Sequence, residues 1–100
     1  MRLAAVCALL TFAAISVAAS GEALPPGTQL AASCAMCHGT QGRSAGGNEP
    51  LAGMAKEELV RKFAEFRSGA KPATVMHQIA KGYTDAELNL VADYFAAQKR

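Results

Sequence analysis

Two thiols and an imidazole stand together at Cys34-Ala35-Met36-Cys37-His38. A disulfide, a dithiol redox pair, a zinc site and a haem attachment site can all begin from such a cysteine pair. A thioredoxin-like pair belongs in a βαβ context, and no strand pattern is present in this sequence. Zinc wants about four ligands, whereas the residues after position 19 offer only Cys34, Cys37, His38 and the distant His77. The histidine directly after the second cysteine favours the fourth option, the pattern of c-type haem attachment. Cysteines one helical turn apart can capture both vinyl groups of one haem as thioethers. His38 is then directed at the iron as proximal ligand. One covalent haem c is therefore expected.

The sixth iron position has four neutral candidates: Met36, Met54, Met76 and His77. Met36 is inside the attachment segment and cannot reach the opposite face. Met54 reads as core filler, the usual role of a lone methionine. Met76 lies far enough along the chain to wrap to the distal side, and it is the expected ligand. His77 is its neighbour, and only one of two adjacent side chains can point at the iron, so His77 reads as a surface residue. His/Met ligation raises the reduction potential and fills both axial sites, which suits a relay and not a catalyst. Pro50 stands twelve residues beyond His38. A backbone carbonyl there is expected to accept the Nδ1–H of His38, because ligating histidines nearly always have such a partner. A plain turn proline is the alternative.

These residues need a frame, and 100 residues supply one domain at most. Met1-Arg2, the apolar run Leu3 to Val17 and the small residues Val17-Ala18-Ala19-Ser20-Gly21 read as a secretory signal peptide over 1–19. The alternative, an uncleaved anchor, is disfavoured because the run is shorter than the roughly 20 residues that span a bilayer. Cys7 is lost with this leader. The exported product is expected in the periplasm, and no membrane association is expected once the leader is gone. The formal net charge is +2, and losing Arg2 leaves nine basic residues against eight acidic ones. There is no basic run with interleaved aromatics, so nucleic acid is not an expected partner.

Residues 20–27, with Pro25-Pro26-Gly27, read as an extended lead-in to a domain over 28–100. A short helix is predicted from Thr28 into Met36, then a Gly-rich loop from Gly39 to Asn48. Leu59, Phe63 and Phe66, with Val60 beside them, predict an amphipathic helix from Ala55 to Ser68. Glu57–Arg61 and Glu58–Lys62 are expected ion pairs on its outer face. A short apolar stretch, Ala73 to Ala80, carries Met76. Thr84-Asp85-Ala86-Glu87 is a capping box, opening a helix whose buried stripe is Leu88, Val91, Ala92 and Phe95, widened by Leu90 and Tyr94. The fold class is all-α, with about four short helices. Such a small domain has little core of its own, and a haem would supply the missing apolar mass.

The segments Cys34-Ala35-Met36-Cys37-His38-Gly39, Pro50-Leu51-Ala52-Gly53, Met76 and Thr84-Asp85-Ala86-Glu87 together resemble class I c-type cytochromes over essentially the whole of 28–100. That resemblance implies a class I cytochrome c fold wrapped around one haem. In that family the axial methionine stands eight residues before the Ser/Thr-Asp helix start, as Met76 does before Thr84. The family's histidine-bonded proline carbonyl falls at Pro50. A narrower resemblance is carried by Phe66-Arg67-Ser68-Gly69 and by Met76-His77-Gln78-Ile79-Ala80-Lys81-Gly82-Tyr83-Thr84, which is similar to the cytochrome subunit of flavocytochrome c sulfide dehydrogenase. It implies a flavoprotein partner carrying FAD, and a soluble acceptor cytochrome. This sequence has motif and room for a single haem. A free-standing shuttle cytochrome of a respiratory chain and, more remotely, a ligand-binding haem sensor are the competing functions. Arg43, Arg67, Lys81 and Tyr83 are candidates to meet haem propionates.

Overall fold

The computed structural model describes residues 23–100 and the isolated positions 14, 16 and 21. The expected signal peptide and its cleavage site fall outside the described residues, positions 14 and 16 apart. Among the described residues, five α-helices and one 3₁₀ turn occur in order: α1 (Thr28–Ala32), α2 (Ala35–His38), the 3₁₀ turn Thr40–Gly42, α3 (Lys56–Ser68), α4 (Met76–Ala80) and α5 (Asp85–Ala96). Among the described residues there is no strand.

The helix expected from Thr28 into Met36 is two helices. Ser33 and Cys34 keep right-handed helical dihedrals. The hydrogen bonding tightens there instead, with Cys34 N–H donating to Ala31 O at 3.1 Å and Met36 N–H to Ser33 O at 3.4 Å. Such i→i−3 bonds turn the chain faster than α-geometry and so re-aim α2 relative to α1. The lead-in ends in a turn in which the Thr28 hydroxyl donates to Pro25 O at 2.6 Å. Gly27 has φ 84°, and a Cβ there would lie 2.3 Å from Leu90 O, so only glycine lets the lead-in lie against α5.

Helix α3 matches the predicted pattern. Leu59 and Phe63 are buried, and Val60 and Phe66 pack beside them. Glu57 and Glu58 occupy its first turn and Arg67 its last, complementing the helix dipole. The Glu58–Lys62 pair forms at 3.3 Å, but Arg61 pairs with Glu65 at 2.7 Å and not with Glu57. Both arrangements are i,i+4 neighbours, and the order Glu57–Arg61 competes with Arg61–Glu65 for one guanidinium. Gly69 stops the helix at φ 82°.

Helix α5 carries both halves of its capping box: Glu87 N–H donates to Thr84 Oγ1 at 3.1 Å and Thr84 N–H to Glu87 Oε1 at 3.0 Å. Its buried stripe is Leu88, Val91, Ala92 and Phe95. Leu90, expected to widen that stripe, is exposed. Tyr94 does widen it, edge-on to Phe95. The core joins Ala31 of α1, Met54, Leu59 and Phe63 of α3, Ala80 of α4 and the α5 stripe. Helix α5 is packed by α1 and α3, and α3 also carries α4.

Candidate functional site

Cys34 immediately precedes α2, Cys37 lies within it and His38 ends it. His38 N–H donates to Cys34 O at 2.9 Å. One helical turn therefore separates the two cysteines, and their side chains share a face. Both are free thiols; Cys34 is half-buried and Cys37 exposed. Burial pushes the Cys34 thiol up from its ordinary value, partly offset by hydrogen bonds with Ser33 and Tyr83. Cys34 also packs against the core cluster.

His38 Nδ1 lies 2.6 Å from a backbone carbonyl, and that carbonyl belongs to Glu49. The carbonyl expected at Pro50 is thus supplied one residue earlier. A proline disfavours helical backbone at the residue before it, so Pro50 acts on the bond by biasing the direction of the Glu49 carbonyl. A carbonyl only accepts, so Nδ1 carries a proton, which leaves Nε2 as the nitrogen a metal would take. Two neighbours hold this arrangement. Asn48 Nδ2 donates to Cys37 O at 2.8 Å, and the Glu49 carboxylate pairs with Lys62 on α3. Neither Asn48 nor Glu49 stands out in the sequence. The available signal is Pro50 itself, read through its effect on the residue before it.

The loop between α2 and α3 is closed by Gly42 O, which accepts from Leu51 N–H at 2.8 Å and Ala52 N–H at 3.1 Å. Gly42 has φ 78°, and a Cβ on it would lie 2.8 Å from the Phe95 ring. This contact seats the loop directly on α5.

Met76 opens α4 and, like Cys34, is half-buried against the core cluster. Met54 is buried in the core at 5% exposure, as expected of a filler, and Met36 is 89% exposed. His77, expected at the surface, is half-buried, and its Nδ1 is buried with no hydrogen-bond partner among the described residues. The segment after Met76 is fastened by Arg67 of α3. Its Nε donates to Ala80 O at 3.3 Å, one Nη to Tyr83 O at 2.8 Å and the other to the Asp85 carboxylate at 2.7 Å. The Tyr83 hydroxyl lies 3.0 Å from Ser33 Oγ and 3.3 Å from Leu30 O. Its ring meets Phe63 edge-on, with centroids 5.6 Å apart. Arg67 and Tyr83, candidates for propionates, thus spend their polar groups on the protein itself. Arg43 donates to Lys99 O at 2.8 Å and Lys81 is exposed.

The donor set fits a haem. Two unpaired thiols stand a turn apart, an imidazole leaves its Nε2 for a metal, and a thioether shares with Cys34 the apolar cluster that a porphyrin would extend. Among the described residues no three His, Cys, Asp or Glu side chains converge as a metal cluster would.

An all-α frame with this donor set is that of a haem-carrying electron-transfer protein. The chain belongs to the cytochrome c family, whose model matches residues 25–99. It is 41% identical over 69 residues to the cytochrome subunit of sulfide dehydrogenase of Chlorobaculum tepidum, covering 69% of this chain and 63% of that protein. It is 32% identical over 92 residues to cytochrome c4 of Pseudomonas aeruginosa, covering 91% of this chain and 46% of that protein. It is 31% identical over 96 residues to cytochrome c-553 of Nitratidesulfovibrio vulgaris, covering 91% of this chain and 89% of that protein. The chain thus spans less than two thirds of the length of the first two relatives. It is a monohaem c-type cytochrome, an electron-transfer module that is not catalytic by itself. No helix among the described residues is long and apolar enough to cross a membrane.

Proposed function

We propose that Cys34 and Cys37 would hold the haem as thioethers, that His38 and Met76 would bind its iron, and that the chain is the haem subunit of a periplasmic sulfide-oxidising flavocytochrome. The observation that carries the assignment is the 41% identity with the cytochrome subunit of a sulfide dehydrogenase. The Ile79-Ala80-Lys81-Gly82-Tyr83 stretch adds to it. Bound at this site, the haem supplies a one-electron couple between a partner's FAD and a soluble acceptor cytochrome. The chain's own residues tune and protect that couple. The Glu49 carbonyl strengthens His38 as a donor. The soft Met76 thioether would favour the reduced state of a bound haem, and together with His38 it would keep water and small ligands away.

The test is purification of the red protein from its native host. Expected are a flavin chromophore that co-elutes with the haem, and reduction of the haem by added sulfide in the complex but not in the isolated subunit. N-terminal sequencing should start at Ser20. A haem protein that never associates with flavin and stays oxidised under sulfide would remove the assignment. A free-standing shuttle would then stand in its place, a reading supported by the match over 89% of cytochrome c-553.

A further inference from the structure

The short helix that presents Met76 has few means of holding itself in place. Helix α4 is five residues long, and Val75 before it offers no side-chain cap. A helix of that length is unstable alone. The connection from α3, residues 69–75, contains no regular element. Beyond its packing on α3, α4 is fixed at its other end. Ala80 is fully buried, and its carbonyl, one of the acceptors a helix C-terminus leaves without an intrahelical partner, receives Arg67 Nε. The same guanidinium takes Tyr83 O and the Asp85 carboxylate. One planar group on α3 therefore clasps the end of α4, the turn after it and the first residue of α5. The clasped turn also reaches α1 and the residue before Cys34: the Tyr83 hydroxyl hydrogen-bonds to Leu30 O and Ser33 Oγ, while its ring rests on Phe63.

We propose that Arg67 is the positioning residue for Met76. The two carbonyl arms of its three-way fork, acting with Tyr83, hold α4 so that the thioether stays on the iron and foreign ligands stay off. This rests on Met76 being the ligand. A lysine cannot reproduce the fork, because an ammonium is a point donor without the planar, multi-directional array of guanidinium N–H groups. Losing the fork frees Ala80 O and Tyr83 O together, and α4 is then tethered only through its apolar face. The Met-off population rises, and the apparent affinity for an added ligand rises with it.

The experiment measures imidazole binding to the oxidised holoprotein and the far-red absorbance band of methionine bound to ferric iron. Arg67→Gln is expected to bind imidazole about tenfold more tightly and to lose part of that band, since apparent affinity scales with the competent fraction. Arg67→Lys, the variant to use should Arg67→Gln not fold, is expected to fall between Arg67→Gln and the parent. Asp85→Asn, which keeps both carbonyl bonds, is expected to stay close to the parent. Val91→Ala, which loosens the core on α5 and removes no hydrogen bond of Arg67, separates general destabilisation from positioning: it should lower stability without changing imidazole affinity. Met76→Ala should abolish the band and bind imidazole freely. If Met76→Ala retains the band, the ligand assignment itself fails. If Met76→Ala opens the iron while Arg67→Gln and Arg67→Lys bind imidazole like the parent, or if Val91→Ala shifts affinity as much as they do, the positioning role of Arg67 is overturned.

Discussion

The Nδ1 of His38 donates to the carbonyl oxygen of Glu49 across 2.6 Å, and the carboxylate of the same Glu49 pairs with Lys62. One residue thus links the imidazole to α3, through its main chain on one side and its side chain on the other. Pro50, the next residue, disfavours helical backbone at Glu49 and so biases the direction of that carbonyl.

Releasing that restraint should change the redox couple. In Pro50→Gly the Glu49 carbonyl is free to turn away, and His38 becomes a weaker donor to ferric iron. The midpoint potential is expected to rise by up to about 60 mV, a tenfold change in ferric against ferrous preference for a one-electron couple. Potentiometric titration of the two holoproteins checks it. An unchanged or lowered potential contradicts the link.

The attachment itself has a graded test. Cys37→Ala should leave a haem held by Cys34 alone, still visible by haem staining after denaturing electrophoresis. The double substitution Cys34→Ala with Cys37→Ala should give no stained band. Staining of the double variant would mean the thioethers lie elsewhere.

Lys62 should contribute little and in a defined pH range. Its amine is held above the ordinary lysine value, first by its hydrogen bond to Glu49 and also by Glu58. A raised value in the folded state adds stability that is complete below the unfolded lysine value and is lost as pH rises through the folded one. Replacing Lys62 by Met should cost about 1 kcal/mol or less, as for other solvent-facing pairs. The difference should stay constant through neutral and mildly alkaline pH and fade only beyond the lysine range. Urea unfolding at several pH values reads it directly.

The start of α5 titrates at the other end of the scale. The Glu87 carboxyl is lowered, chiefly by the backbone N–H of Thr84. Its contribution is therefore present above the ordinary carboxylate value and lost as pH falls through the lowered one. Thr84→Ala should cost about 1 kcal/mol at neutral pH, whereas Glu87→Gln should flatten the acid limb of the stability profile. Acid-limb curves that superimpose for Glu87→Gln and parent would argue against the capping role.

Gly42→Ala should be damaging for the addition of a single methyl. It imposes a positive φ on alanine and drives a methyl to 2.8 Å from the Phe95 ring. The left-handed conformation alone costs about 1–2 kcal/mol, and displacing a ring that is 1% exposed adds to it. Thermal unfolding of the holoprotein should show the loss. Gly46→Ala, with open space around it, should be close to neutral.

Much of this protein is local, and local features are legible in a sequence. Cys34, Cys37 and His38 lie within one turn of chain, so their relation is decided by helix geometry. The capping box at Thr84 and the apolar stripes of α3 and α5 repeat at helical spacing for the same reason. What the sequence could not decide were choices between near-equivalent neighbours. The carbonyl for His38, expected at Pro50, is supplied by Glu49; Arg61, expected to pair with Glu57, pairs with Glu65; and of Leu90 and Tyr94, both expected on the buried stripe, Leu90 is exposed. Nor could the sequence show that Arg67 reaches across to Ala80, Tyr83 and Asp85, since those contacts join residues 13 to 18 positions apart. Such pairings differ by a single residue or a single rotamer, and they are resolved only when packing α3 against α4 and α5 sets which groups come within hydrogen-bonding distance.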